Sequence, residues 1–287
     1  MLPRNWSVRI GGAALLALIL VAIAAPWLGT VDPTLFDAAS RDLRPGEVGS
    51  ITTLEGETLP HRFLMGSDSY GRDIYSRVLY GTRVSLIVGL ACAVVALFCG
   101  VLLGLIAGYV RAADGLVMRV MDGVMAIPAI LIAIAVVALW RASLATVIMA
   151  IAIPEIPRVT RLVRSLVLTI REEPYVEAAV ALGTSAPNIM FGHILPNTIA
   201  PLLVQGTYIC AFAILLEAIL SFLGVGLPPD IPTWGNIMAE GRVQFVAYPH
   251  NVFFPGVFLA VTVLAVNMLG DGLRDTLDPK LAVDEHA

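Results

Sequence analysis

Long runs without a charged residue, separated by short stretches dense in charge and turn residues, set the pattern of this chain. Residues 10–28 follow Arg4 and Arg9 and carry no charge, which matches the ~20 residues a helix needs to cross a bilayer. Small residues at 22–25 would suit signal cleavage, but the length predicts a retained first span with its amino end in the cytoplasm. Residues 30–83 form the one long hydrophilic stretch, with Pro33, Pro45 and Pro60. Its end predicts a turn over 65–73 and a short amphipathic interfacial helix around 74–80. That helix would position the second span, a reading preferred to a ligand site at Asp68, Arg72 and Asp73.

Residues 84–110 are uncharged and predict the second span. Within it Gly100, Gly104 and Gly108 recur on one helical face, a spacing that lets helix backbones approach closely in lipid, so the stripe predicts a packing surface for another span. Arg111, Asp114 and Arg119 predict a charged turn. A third span over 123–140 follows, kinked at Pro128, which lacks an amide hydrogen and crowds the preceding turn; Trp140 suits its far interface. The fourth span, from 143, is expected to break near Pro154 and continue as a basic helix at the cytoplasmic surface, with Arg158, Arg161 and Arg164 near one face. Glu155 is a candidate functional carboxylate that is expected to pair with Arg158.

After a polar interlude at 172–197, residues 198–227 predict a fifth span. It carries Glu217, and a carboxylate inside a span is a functional candidate by default; the competing roles are a hydrogen bond to a neighbouring span or a place near the outer interface. An outer loop over 229–249, re-entrant near Trp234, leads to a sixth span over 252–269 and a polar ending. Six spans put both termini on one side. Arg4, Arg9, Arg111, Arg119, Arg158, Arg161, Arg164, Arg171, Arg274 and Lys280 fall on that side, against Arg141 and Arg242 in the short outer segments. Basic residues concentrate in cytoplasmic segments, which places the termini and the 172–197 interlude in the cytoplasm.

Composition agrees with a membrane protein: 58% apolar and 14% charged, against roughly 45–50% and about 25% in soluble domains. A net charge of −4 and the lack of a basic patch argue against a nucleic-acid partner. Cys92, Cys99 and Cys210 lie in apolar runs and read as small buried hydrophobes. No phosphate-binding GxxxxGK[ST], no GxSxG, no HExxH and no Cys/His cluster occurs, so the sequence predicts neither an enzyme nor a cofactor or metal site of its own.

The interlude stands apart. Pro174 suits a first helical position, with Glu172 and Glu173 at the positive end of the helix dipole. Glu177, Ala178, Ala179, Ala181 and Leu182 favour helix, and Gly183 with Pro187 ends it. Small side chains at Ala178, Ala179 and Gly183 leave room for another surface, and a short helix between spans has little of its own to bury. That combination predicts docking onto a partner. Glu177-Ala178-Ala179, then Gly183, Ile194 and Pro196, resembles the EAA loop of ABC importer permeases. The HILPN run at 193–197, the GSDSYGRD run at 66–73 and the polar ending at 270–279 are similar to the dipeptide and oligopeptide group of that family.

The resemblance implies an all-α membrane protein of six transmembrane helices, with a type I (MetI-like) permease core and an additional N-terminal span. Its parts would be a tail and first span at 1–29, an extracytoplasmic loop at 30–83, the core at 84–270 with a coupling helix at 174–186, and a cytoplasmic tail at 271–287. It implies a bacterial inner-membrane subunit paired with a homologous permease. Two ABC ATPase subunits would bind ATP and Mg, and an extracytoplasmic binding protein would deliver substrate. Tyr175, Glu177, Ala178, Ala179, Gly183 and Pro196 would carry coupling, and Glu217 and Ser221 would belong to the pathway. Di- and oligopeptides are the implied cargo, with nickel, glutathione or another small solute as alternatives. A stand-alone secondary transporter would be expected to show inverted repeats or several intramembrane charges; a non-transporting scaffold leaves the interlude without a purpose.

Overall fold

The computed structural model describes residues 6–277. Arg4, Lys280 and the last part of the polar ending lie outside the described residues. Helices dominate, and a two-stranded antiparallel hairpin, β1 (Val48–Thr52) and β2 (Thr58–Arg62), sits in the long hydrophilic region.

Helix α1 (Trp6–Ala24) lies along α11 (His250–Leu277). A Cβ on Gly11 would stand 2.7 Å from the Ala265 carbonyl, so only glycine permits this approach. Helix α2 (Ile74–Tyr109) is one unbroken element, capped by the Asp73 carboxylate, which accepts from the Ser76 amide at 2.9 Å. The expected interfacial helix is therefore the first part of α2. Only Gly81, Thr82 and Arg83 lie between it and the apolar run, and a single glycine costs a helix about 1 kcal/mol, too little to stop it.

The glycine stripe does face another helix. Leu144–Ala152 (α5), a 3-10 turn at Ile153–Glu155 and α6 (Ile156–Ile170) follow one another, and α6 runs parallel to α2. Cβ atoms on Gly100, Gly104 and Gly108 would fall 2.4, 2.6 and 2.6 Å from the Cβ atoms of Val159, Val163 and Val167. The expected basic surface helix is thus corrected. The break at Pro154 is real, but α6 stays beside α2 because its valine face fits the glycine groove.

Between these helices the chain makes α3 (Arg111–Met125) and α4 (Ala129–Leu139), bent by 88° at their junction. The expected charged turn is a helix, and the expected kink at Pro128 is a right-angle break with Pro128 itself in extended geometry (ψ 132°). Asp114 and Asp122 are held by Arg164 and Arg161 of α6, which supplies the partners an isolated charged helix would lack.

Beyond α6 come α7 (Pro174–Ala181), α8 (Ala186–Ile189), a π-helical turn at Met190–Ile194, α9 (Leu195–Phe222) and α10 (Trp234–Gly241). The residues expected to be re-entrant form the short helix α10, and α11 extends as helix into the expected polar tail. Among the described residues four segments are long and apolar enough to cross a membrane: Trp6–Trp27, Ile74–Tyr109, Ala186–Phe222 and His250–Leu277. The α3–α4 pair is a fifth if taken as one span. Six is reached only if the interrupted α5–α6 segment is counted as well. The start of α1 and the end of α11 share one end of the bundle, where Gly272 approaches Val8.

Candidate functional site

The helix that the sequence marks for docking is α7, shorter than expected. Pro174 occupies its first turn after an extended Glu173. Val176 and Ala179 turn inward and are buried, Val176 joining a cluster with Val167, Ile189 and Ile194. Helix α7 ends at Ala181 rather than 186. The Gly183 amide donates to Val180 O at 3.0 Å and the Thr184 amide to Ala179 O at 3.1 Å, the paired bonds of a Schellman stop. Gly183 takes φ +78°, and a Cβ there would meet nothing within 4 Å. Asn197 Nδ2 donates to the Tyr175 hydroxyl at 3.2 Å, tying the start of α7 to the start of α9.

Of the expected coupling residues, Tyr175, Glu177, Ala178, Gly183 and Pro196 are exposed, while Ala179 faces the interior. Leu182 is 86% exposed. Its side chain, at the tip of a short helix, borders open space over the adjacent glycine.

Glu217 and Ser221 lie elsewhere, on the far half of α9. Both are buried, at 0% and 2% exposure, and Ser221 Oγ donates to Glu217 Oε1 at 2.7 Å. The Leu227 amide in turn donates to Ser221 Oγ at 3.4 Å, and a Cβ on Gly235 would stand 2.7 Å from the Ala218 Cα. The pair sits where α10 presses on α9, inside the chain's own packing. Glu217→Gln, which keeps the shape and one acceptor, is expected to leave uptake within about twofold, whereas Glu217→Ala should lower stability by roughly 1–3 kcal/mol through the lost bond. Uptake by the two variants, alongside their melting temperatures, checks this; a Gln variant that folds normally but transports nothing would return Glu217 to the pathway.

At the hairpin end, Asp68, Arg72 and Asp73 do not form an open ligand site. Asp68 accepts from Arg72 Nε at 2.6 Å and from Arg77 Nη1 at 3.3 Å, and both arginines reach Glu240 of α10. Sequence reading missed Arg77 and Glu240, since nothing local joins groups so far apart in the chain. Nearby, Asp37 accepts from the Ser50 hydroxyl at 2.6 Å, and that bond holds its carboxyl below the usual carboxylate range.

Glu155 does pair with Arg158, whose Nη1 donates to it at 3.0 Å, but Glu155 is buried at the α5–α6 break. Among the described residues no group of His, Cys, Asp and Glu is placed to hold a metal ion.

Fold and loop together define a polytopic helical membrane protein with the short, partly exposed helix α7 at an end of its bundle. Residues 100–283 match the family model described as binding-protein-dependent transport system inner membrane component, and the chain belongs to that family. It is 50% identical over 277 residues to a probable peptide ABC transporter permease protein of Sinorhizobium fredii, covering 96% of this chain and 90% of the relative. It is 42% identical to a dipeptide transport system permease protein of Alkalihalophilus pseudofirmus, over 98% of this chain and 88% of the relative. A glutathione transport system permease protein of Pectobacterium atrosepticum is 44% identical over 79% of this chain and 75% of its own length.

Proposed function

We propose that this chain is a membrane-embedded permease subunit of an ATP-driven importer for di- and oligopeptides, driven through α7. The uncovered face of α7, with Leu182 bare and Gly183 open, carries this reading. An ATPase subunit is the occupant it calls for, and a homologous permease would complete the pathway. With α7 in the cytoplasm, the adjoining ends of α1 and α11 are cytoplasmic too, and the β-hairpin faces outward to a substrate-binding protein. Hydrolysis belongs to the ATPase partners. Both peptide-permease relatives support peptides as cargo; the glutathione-permease relative makes glutathione, itself a small peptide, the second substrate to test.

Closure of the ATPases would push α7, and α6 and α9 on either side of it would carry that movement into the bundle. Gly183 offers a test. A φ of +78° strains a β-branched residue by on the order of 1–3 kcal/mol, whereas Asn enters that region more readily. In the reconstituted complex, Gly183→Val should abolish peptide-stimulated ATP hydrolysis, and Gly183→Asn should keep a measurable part of it. Full coupling in both variants would sink the assignment of α7, and stimulation by glutathione alone would replace the peptide cargo.

A further inference from the structure

Two helix surfaces of this chain differ in a way that bears on where solute travels. On α2 the exposed positions that follow Arg83 are apolar, Ile87, Leu90, Val94 and Phe98 among them. On α6 the exposed positions are Arg158, Arg161, Ser165 and Thr169, all polar and spaced by three or four residues along one face. Yet α6 lies beside α2 at the level of its uncharged run. Val159 touches Gly100, and Gly100 precedes Val110 by about 15 Å of helix. A polar stripe at that depth does not face hydrocarbon, because charged groups within a membrane are costly unless they face water or protein.

The neighbouring surface of α9 sets Gln205 and Tyr208 among apolar residues beside that stripe. Arg158 lies over the Phe212 ring, its guanidinium carbon 5.6 Å from the ring centre. One turn toward the α7 end, Tyr208 donates to Asp271 at 2.5 Å. There a cavity of about 510 Å³ opens between α6, α9 and α11, where Gln205, Tyr208 and Arg274 stand among apolar side chains such as Leu162 and Val204. Arg158 spends Nη1 on Glu155 and keeps its side chain 50% exposed, so the rest of its planar fork is free to meet a carboxylate.

We infer that the furrow between α6 and α9, from Arg158 to Arg274, lines the α7-side half of the solute pathway, and that Arg158 receives the carboxylate of a passing peptide. This rests on the import reading above. Glu217 and Ser221, packed beneath α10, then anchor the fold outside the pathway.

The test uses the assembled transporter in inside-out vesicles. Ser165→Cys and Thr169→Cys, with Leu90→Cys and Val94→Cys as comparators, are treated with a charged, membrane-impermeant thiol reagent, and the native-cysteine protein gives the background. The two α6 positions should react at least about tenfold faster, as water-facing thiolates do over lipid-facing thiols. Equal rates at all four positions would overturn the pathway assignment, and so would α6 reactivity that appears only after the complex is taken apart, since the face would then be a subunit interface. In uptake assays, wild type should prefer a peptide with a free carboxylate over its C-terminal amide by about tenfold, the scale of one hydrogen bond to a charged group. Arg158→Gln should erase that preference and Arg158→Lys restore part of it; an unchanged preference in Arg158→Gln would remove the carboxylate role. Should wild type import no peptide at all, the cargo reading fails, while the labelling still decides which face is wet.

Discussion

Gly104→Leu is expected to eliminate folded subunit from the membrane, and Gly104→Ala to lower its melting temperature, whereas Gly123→Ala should leave that temperature unchanged or raise it. A Cβ at Gly104 would stand 2.6 Å from the Val163 Cβ and 2.9 Å from the Thr160 carbonyl oxygen. One contact is a branched side chain and the other backbone, so neither can swing aside. Overpacking by even a methyl group costs roughly 1–3 kcal/mol, and leucine would have to separate α2 from α6 along their shared groove. At Gly123 a Cβ meets nothing within 4 Å, and alanine in a helix gains up to ~1 kcal/mol over glycine. Membrane abundance and thermal unfolding in detergent decide the matter. A Gly104→Leu subunit that accumulates and melts like wild type would mean that α2 and α6 do not meet this way.

The glycine stripe shows what the sequence made legible. Three glycines on one face announce a close packing partner by spacing alone. The partner was readable too, since Val159, Val163 and Val167 repeat the same interval, but the arginines between them suggested a surface helix. That inference treated α6 as having one environment, whereas it has two: a valine face in the groove and a polar face turned away. The dense charges of helix α3 read as a turn, and the distant Arg161 and Arg164 make them tenable in a helix. The β-hairpin is not legible in the sequence because its strands are short and Pro60 interrupts one; paired opposite Ser50 in a two-stranded ribbon, that proline needs no second neighbour. The α7 stop was legible because Gly183 marks a single backbone conformation. Whether Glu217 is buried or lines a path depends on α10 folding back over it, a tertiary fact that its own span does not encode.

The second large effect is expected at the hairpin end, where Arg77→Met should destabilise the subunit by about 3–5 kcal/mol, the usual cost of stripping one partner from a buried ion cluster. Arg77 is 1% exposed and reaches Asp68 and Glu240, each at 3.3 Å, along with the Pro229 carbonyl at 3.4 Å. Asp68 is itself buried, and Glu240 nearly so. With Arg77 gone, two carboxylates share Arg72 alone, and one negative charge is left uncompensated in a poorly hydrated site. Methionine fills much the same volume, so the loss reads charge rather than packing. Glu240→Gln removes the surplus charge, and the double variant Arg77→Met/Glu240→Gln should recover most of the lost stability, leaving Arg72 with Asp68. Thermal unfolding of the four proteins in a double-mutant cycle measures this coupling directly. A double variant no more stable than Arg77→Met would show that Arg77 acts through packing or through the Pro229 carbonyl. The consequence for transport follows from where Glu240 sits. It belongs to α10, α10 presses on α9 at Ala218 and Ser221, and α9 runs to the loop that carries α7. Loosening this latch should therefore uncouple the hairpin end from α9, and Arg77→Met should lose uptake even in preparations where the folded subunit is recovered.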